Sequence, residues 1–125
     1  MKVHHIGLNV RNLEASTNFY TVFFDLNKET EFSFLDDNIV FLHGANGMLE
    51  LIEDKSAVFN EKAIHLAWEV ESIQYWLDRL EKKGLLPALG PFKLPNEWKT
   101  VFYEGPDGET IELIEKKRAL KIKLM

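Results

Sequence analysis

Cysteine is absent from the 125 residues, and with it go disulfide frameworks, thiol nucleophiles and thiolate metal sites. Any metal must therefore be held by His and carboxylate. A basic surplus is missing too: 20 acidic residues against 15 Lys and Arg leave a formal charge of −5. Phosphate binding needs the opposite, a basic stripe, so nucleic acid is excluded as a main partner. No apolar run approaches the roughly 18–20 residues of a membrane span. The N-terminus moves straight into a strand-like run, without the charged-then-apolar layout of a signal peptide. The expectation is a cytoplasmic protein with no membrane partner. What is present suits a folded chain: the apolar fraction of 46% is ordinary for a globular protein. The length fits one compact unit, or two half-modules sharing a sheet.

The rest of the chain is organised around the stretch Val101-Phe102-Tyr103-Glu104-Gly105-Pro106-Asp107-Gly108-Glu109-Thr110-Ile111-Glu112-Leu113-Ile114-Glu115. It predicts a β-hairpin, two apolar runs joined by a Gly-Pro-Asp-Gly turn. Glu112 sits between Ile111 and Leu113, and a carboxylate there is expensive to bury without a partner. Val40-Phe41-Leu42-His43-Gly44-Ala45-Asn46-Gly47-Met48-Leu49-Glu50-Leu51-Ile52-Glu53 repeats the pattern, one residue shorter past the turn. Glu50 falls at the place of Glu112. The chain carries an internal duplication with an acid at matched positions.

The duplication extends upstream. His5-Ile6-Gly7-Leu8-Asn9-Val10 precedes the first hairpin, and His65-Leu66-Ala67-Trp68-Glu69-Val70 precedes the second. Both open with His, carry a small residue two places on, and end in Val. Because side chains alternate along a strand, His5 shares a face with Gly7 and Asn9, and His65 with Ala67. The bulky residues of each run face the other way, toward a helix. Each His beside a small residue reads as a cavity wall. By the same alternation His4 belongs on the face opposite His5, and it and His43 read as structural.

Taken in order, Val3 to Val10 predicts the first strand. Asn12 caps a helix from about Leu13 to Leu26, whose Leu13, Phe19, Tyr20, Phe23 and Leu26 form an apolar face. Lys28 to Phe34 predicts a half-exposed strand, Asp36-Asp37-Asn38 a turn, and Ile39 to Ile52 the first hairpin. Glu53 to Lys62 is a polar linker. A strand from Ala63 to Val70 follows, then Glu71-Ser72 opens a helix from about Ile73 to Lys83, with Gly84 at its C-terminal cap. Leu85 to Leu94, interrupted by Pro87, Gly90 and Pro91, predicts an irregular edge strand. Trp98 lies near the second hairpin and reads as a cover for the core. Each half is strand–helix–strand–strand–strand, an α+β organisation. One domain over 1–125 is built from repeats at about 3–53 and 63–115, with an alternating basic–apolar tail, 116–125, that predicts a short helix or an extra strand.

Two βαβββ repeats, each with His at the start and Glu at the end, resemble the vicinal oxygen chelate superfamily. That superfamily includes glyoxalase I, methylmalonyl-CoA epimerase, extradiol dioxygenases and fosfomycin-resistance proteins. The resemblance rests on His5-Ile6-Gly7-Leu8-Asn9-Val10 and on Gly105-Pro106-Asp107-Gly108 with Ile111-Glu112-Leu113-Ile114, and covers about residues 3 to 115. It implies a cupped, incomplete barrel around a divalent metal held by His5, Glu50, His65 and Glu112. Some relatives use only His, His and Glu, and some that bind ligands have lost all of them. An acid at the Glu50 position is similar to glyoxalase I, where the epimerases tend to carry Gln. Relatives build the site within one chain or from two, and a homodimer is the expected assembly. One departure counts against glutathione as the carrier thiol. Asn9 stands where a basic residue grips the peptide in the glutathione-type enzyme, and Glu53-Asp54 adds charge that opposes an anionic peptide.

Two neutral imidazoles and two carboxylates neutralise a divalent cation and, in octahedral geometry, leave two positions for a chelating substrate. The set accepts Ni, Co, Zn, Mn or Fe. The implied reaction is a proton shift beside a carbonyl, as in a glyoxalase I-type lyase acting on the hemithioacetal of a 2-oxoaldehyde and a low-molecular-weight thiol. Its catalytic base is expected at Glu112, with Glu50 second. Alternatives are an epimerase, a dioxygenase, a thiol transferase for antibiotic resistance, or a non-catalytic small-molecule binding module. Against all of these stands the bland reading, in which His5 and His65 are core histidines and Glu50 and Glu112 lie on an exposed strand face. Glu53 and Glu115, however, already take that part at the strand ends. Four matched positions in two repeats favour the metal site.

Overall fold

A computed structural model describes residues 3–57 and 65–116. The first repeat runs β1 (His5–Val10), α1 (Leu13–Phe24), β2 (Asn27–Phe34), β3 (Asp37–Gly44) and β4 (Gly47–Glu53). The second runs β5 (His65–Glu69), α2 (Ile73–Lys82), β6 (Leu89–Lys93), β7 (Lys99–Glu104) and β8 (Thr110–Glu115). The fold is α+β, two βαβββ modules. Each module forms an open four-stranded mixed sheet, in the orders β1-β4-β3-β2 and β5-β8-β7-β6, and neither sheet closes on itself. The last strand of each repeat lies between the first strand, which pairs with it in parallel, and its hairpin partner, which is antiparallel.

Local chemistry sets the element ends. Asn12 Oδ1 accepts the Ala15 N–H at 2.9 Å, and Ser72 Oγ accepts the Tyr75 N–H at 3.1 Å. Each cap is worth about 1 kcal/mol. Helix α1 stops at Phe24, short of Leu26, because Asp25 turns left-handed with φ 58°. Gly84, with φ 89°, follows α2 and lets the Leu85 N–H return to the Leu80 carbonyl at 2.9 Å. The stretch expected to be irregular yields a five-residue strand, β6, at the sheet edge. Its pairing with β7 slips between Leu89 and Phe92, where Gly90 and Pro91 interrupt the ladder. The linker at 58–62 and the tail from 117 onward lie outside the described residues.

Alternation sorts each sheet into two faces. In the first repeat, Leu8, Val10, Val40, Leu42, Leu49 and Leu51 are buried with Tyr20 and Phe24 of the helix. In the second, Leu66, Val101, Tyr103, Ile111 and Leu113 are buried with Ile73 and Leu80. Helix α1 packs on β2, β3 and β4, and α2 on β7 and β8. The other face of each sheet carries the paired His and Glu.

Both last strands contain the same tetrapeptide, Glu-Leu-Ile-Glu, at 50–53 and at 112–115. Its second acid was expected on an exposed strand end; the structure places it differently. Glu53 Oε2 accepts the N–H of Leu13, the first residue of α1, at 3.0 Å. Glu115 Oε1 accepts the N–H of Ile73, the first residue of α2, at 2.9 Å. These are N–H groups that no helix can satisfy internally, and an anion there also faces the positive end of the helix dipole.

By contact the chain divides into two compact units, Met1–Asn60 with Gly105–Gly108, and Glu61–Glu104 with Glu109–Met125. The turn of the second hairpin thus groups with the first repeat, where Asp107 Oδ2 accepts the backbone N–H of Arg11 at 3.1 Å. No described helix is long and apolar enough to cross a membrane.

The bond from the Leu13 N–H holds the Glu53 carboxyl below the usual carboxylate range, helped by Asn38 and Lys55 and opposed by burial. The folded state therefore binds this proton less tightly than the unfolded chain. Its stabilising contribution is present above the ordinary Glu value of about 4.3 and is lost as pH falls through the lowered value. Urea unfolding between pH 7 and pH 3 is expected to show a shallower acid-side loss for Glu53→Gln than for the unsubstituted protein.

Candidate functional site

The parallel pairing of first and last strands decides where the acids go. Gly7 lies opposite Glu50 in the first repeat, and Ala67 lies opposite Glu112 in the second. Each His is two residues before that small residue and on its face, so the Glu side chain can reach back across it. It does so in both repeats. His5 Nε2 is 3.3 Å from Glu50 Oε1, and His65 Nε2 is 3.3 Å from Glu112 Oε1. The structure thus brings His5 to Glu50 and His65 to Glu112.

Gly7 leaves space for the acid opposite it. A Cβ on Gly7 would stand 3.1 Å from Glu50 Oε1, inside ordinary contact distance. On the other side of each acid the antiparallel neighbour is a phenylalanine, Phe41 opposite Glu50 and Phe102 opposite Glu112. The Phe41 ring meets the His5 ring edge-on, with centroids 5.0 Å apart, and stacks with Phe32 at 6.1 Å. Each acid is thus hemmed by apolar surface while its imidazole stays partly open to solvent.

The repeats differ in what supports the pair. His4 was expected on the face opposite His5. It precedes the first paired residue of β1, so strand alternation does not bind it, and its Nδ1 lies 2.8 Å from His5 Nδ1. One of the two rings donates and the other accepts, leaving His5 Nε2 for Glu50. In the second repeat the support falls on the acid: Thr100 Oγ1 donates to Glu112 Oε2 at 2.5 Å, a buried contact. Sequence reasoning passed over Thr100. Its signal was slight, a lone hydroxyl two residues before Phe102 on the same strand face. His43 pairs with Glu29 at 3.5 Å. Trp98 lies beneath the Lys116 ammonium, 5.2 Å from the ring centroid.

A divalent ion suits the chemistry of these donors. Each pair offers an imidazole nitrogen and a carboxylate oxygen. Among the described residues no three His, Asp or Glu side chains form a group that could hold a metal ion.

The sequence model of the Glyoxalase/Bleomycin resistance protein/Dioxygenase superfamily matches residues 2–113. The chain belongs to this superfamily. Solved structures agree on the fold. A glyoxylase/bleomycin resistance protein/dioxygenase domain from Frankia sp. EAN1pec is 22% identical with a TM-score of 0.81, covering 95% of this chain and 94% of its own. Lactoylglutathione lyase from Agrobacterium tumefaciens is 20% identical with a TM-score of 0.72, covering 91% and 92%. A mutant of the fosfomycin resistance protein FosX from Listeria monocytogenes, complexed with Mn(II) and 1S,2S-dihydroxypropylphosphonic acid, is 16% identical with a TM-score of 0.78, covering 94% and 92%. At these identities the likeness is one of fold. No curated protein matches the chain significantly.

The space over Gly7 is testable in the metal-free protein. Gly7→Val is expected to displace the Glu50 carboxylate, so that the His5 ring signals in an NMR spectrum move as they do in Glu50→Gln. The His65 signals should stay in place in both variants.

Proposed function

We propose that the chain is a metal-dependent lyase or isomerase of glyoxalase I type. Its substrate would be the hemithioacetal of a 2-oxoaldehyde with a low-molecular-weight thiol, or a similar compound with vicinal oxygens. The observation that carries this reading is the matched His–Glu pair in each repeat, with both contacts at 3.3 Å. His5, Glu50, His65 and Glu112 would hold the ion, which when bound supplies Lewis-acid polarisation to two neighbouring substrate oxygens. The pairs complete the donor set together, within one chain or between the two chains of a homodimer. The superfamily's use of Mn(II) in the FosX complex supports a divalent ion; Ni, Co, Zn and Fe suit the same donors.

The remaining work falls to the chain. Glu112 removes the proton beside the carbonyl and returns it to the neighbouring carbon, with Glu50 the alternative base. The apolar flanks, Phe41 and Phe102, keep water from the acids and strengthen every charge interaction around them. Asn9 brings no positive charge to meet an anionic peptide, which disfavours glutathione as the thiol. The same aromatic flanks also favour a second reading, a binding module for an apolar small molecule. Metal content separates the two, since sequestration has no use for paired acids in an apolar wall.

Elemental analysis of the purified protein is expected to find a bound divalent ion that His65→Ala fails to retain. With the ion present, methylglyoxal should turn over with a small thiol other than glutathione. Glu112→Gln should lower that turnover by about 10²–10⁴-fold, the usual contribution of a positioned base. Absence of metal from both the parent protein and His65→Ala would favour the binding module.

A further inference from the structure

Glu112 and Thr100 are both withdrawn from solvent, at 9% and 2% exposure. They sit diagonally across β8 and β7, since Thr100 pairs with Ile114 and Phe102 with Glu112. A hydroxyl-to-carboxylate distance of 2.5 Å is at the short, charge-assisted end of the range. The carboxyl torsion of Glu is broad and nearly two-fold, so an unsupported carboxylate exchanges its oxygens readily. Here Oε2 is taken by the Thr100 hydroxyl while Oε1 faces His65 Nε2. Exchanging the two would break the short bond in a place that water does not replace. Among the described residues the first repeat shows no such bond to Glu50. Ile39 pairs with Ile52 as Thr100 pairs with Ile114, and its buried side chain has no hydroxyl to offer Glu50.

We propose that Thr100 is a positioning residue that holds Oε2 of Glu112 and so presents Oε1 alone beside His65, making Glu112 the rigid acid and Glu50 the adaptable one. This rests on the metal-dependent reading above. Supports of this kind fix the orientation of a ligand, and their loss typically weakens metal binding by about 10–100-fold. Thr100→Val keeps the shape of the side chain and removes only the donor. Thr100→Ser keeps the donor and removes a methyl group.

The test is a titration of the full chain with cobalt(II) chloride, followed by visible absorption. Thr100→Val is expected to bind about 10–100-fold more weakly and to shift the cobalt absorption bands, and Thr100→Ser to restore both. Ile39→Val, at the matched place in the first repeat, should change neither. Equal affinity and an unchanged spectrum in Thr100→Val would overturn the assignment, as would failure of Thr100→Ser to recover them. Should the unsubstituted protein take up no cobalt, the metal-dependent reading fails on its own account. The crystal structure of metal-free Thr100→Val then decides the positioning role: a Glu112 carboxylate turned from its place supports it, and an unmoved one refutes it.

Discussion

The bond between the last acid of each repeat and the first N–H of its helix is the constraint on which the remaining geometry depends. Glu53 to Leu13 and Glu115 to Ile73 tie the end of the final strand to the start of the helix that covers it. A strand sends residues three apart to opposite faces. Once Glu53 and Glu115 are committed to the helix side, Glu50 and Glu112 have only the other side to occupy. The tetrapeptide Glu-Leu-Ile-Glu therefore performs two electrostatic tasks at once. One acid meets a helix terminus; the other meets an imidazole. The apolar pair between them divides likewise, with Leu51 and Leu113 in the core.

Much of this was legible in the sequence, and the reason is periodicity. Two copies of a strand–helix–hairpin pattern, each with a His at one end and an acid at the other, can be aligned by eye. Alternation then puts His5 on the face of Gly7 and Asn9, while the place of Glu50 beside them needs the strand register. What alternation does not supply is contact. It left Glu53 and Glu115 on exposed strand ends, because the helix N-terminus that receives each of them depends on how far the chain turns after Val10 and Val70. It misplaced His4, which stands one residue before pairing begins and so escapes the rule. It said nothing of Thr100, whose bond to Glu112 runs diagonally between strands and needs the β7–β8 register to be known. Boundaries failed for similar local reasons, as at Asp25, whose left-handed backbone ends α1 early.

The two halves have kept the donor types while diverging around them. A glycine in one is an alanine in the other; a buried isoleucine in one is a threonine in the other. The His–Glu separations are nonetheless the same in both. Equal separation with unequal support means that the acids need not share a chemical role even where they share a position.

The parallel pairing of first and last strands has a consequence for how the protein is made. His5 and His65 begin their repeats, whereas Glu50 and Glu112 lie near the ends of theirs, with a whole helix and two strands between. Neither imidazole can meet its acid until the full repeat has closed, because parallel neighbours cannot be joined by a tight turn. On the metal-dependent reading proposed above, the donors would come together only once folding is complete, and the folded chain would be the first species able to compete for an ion.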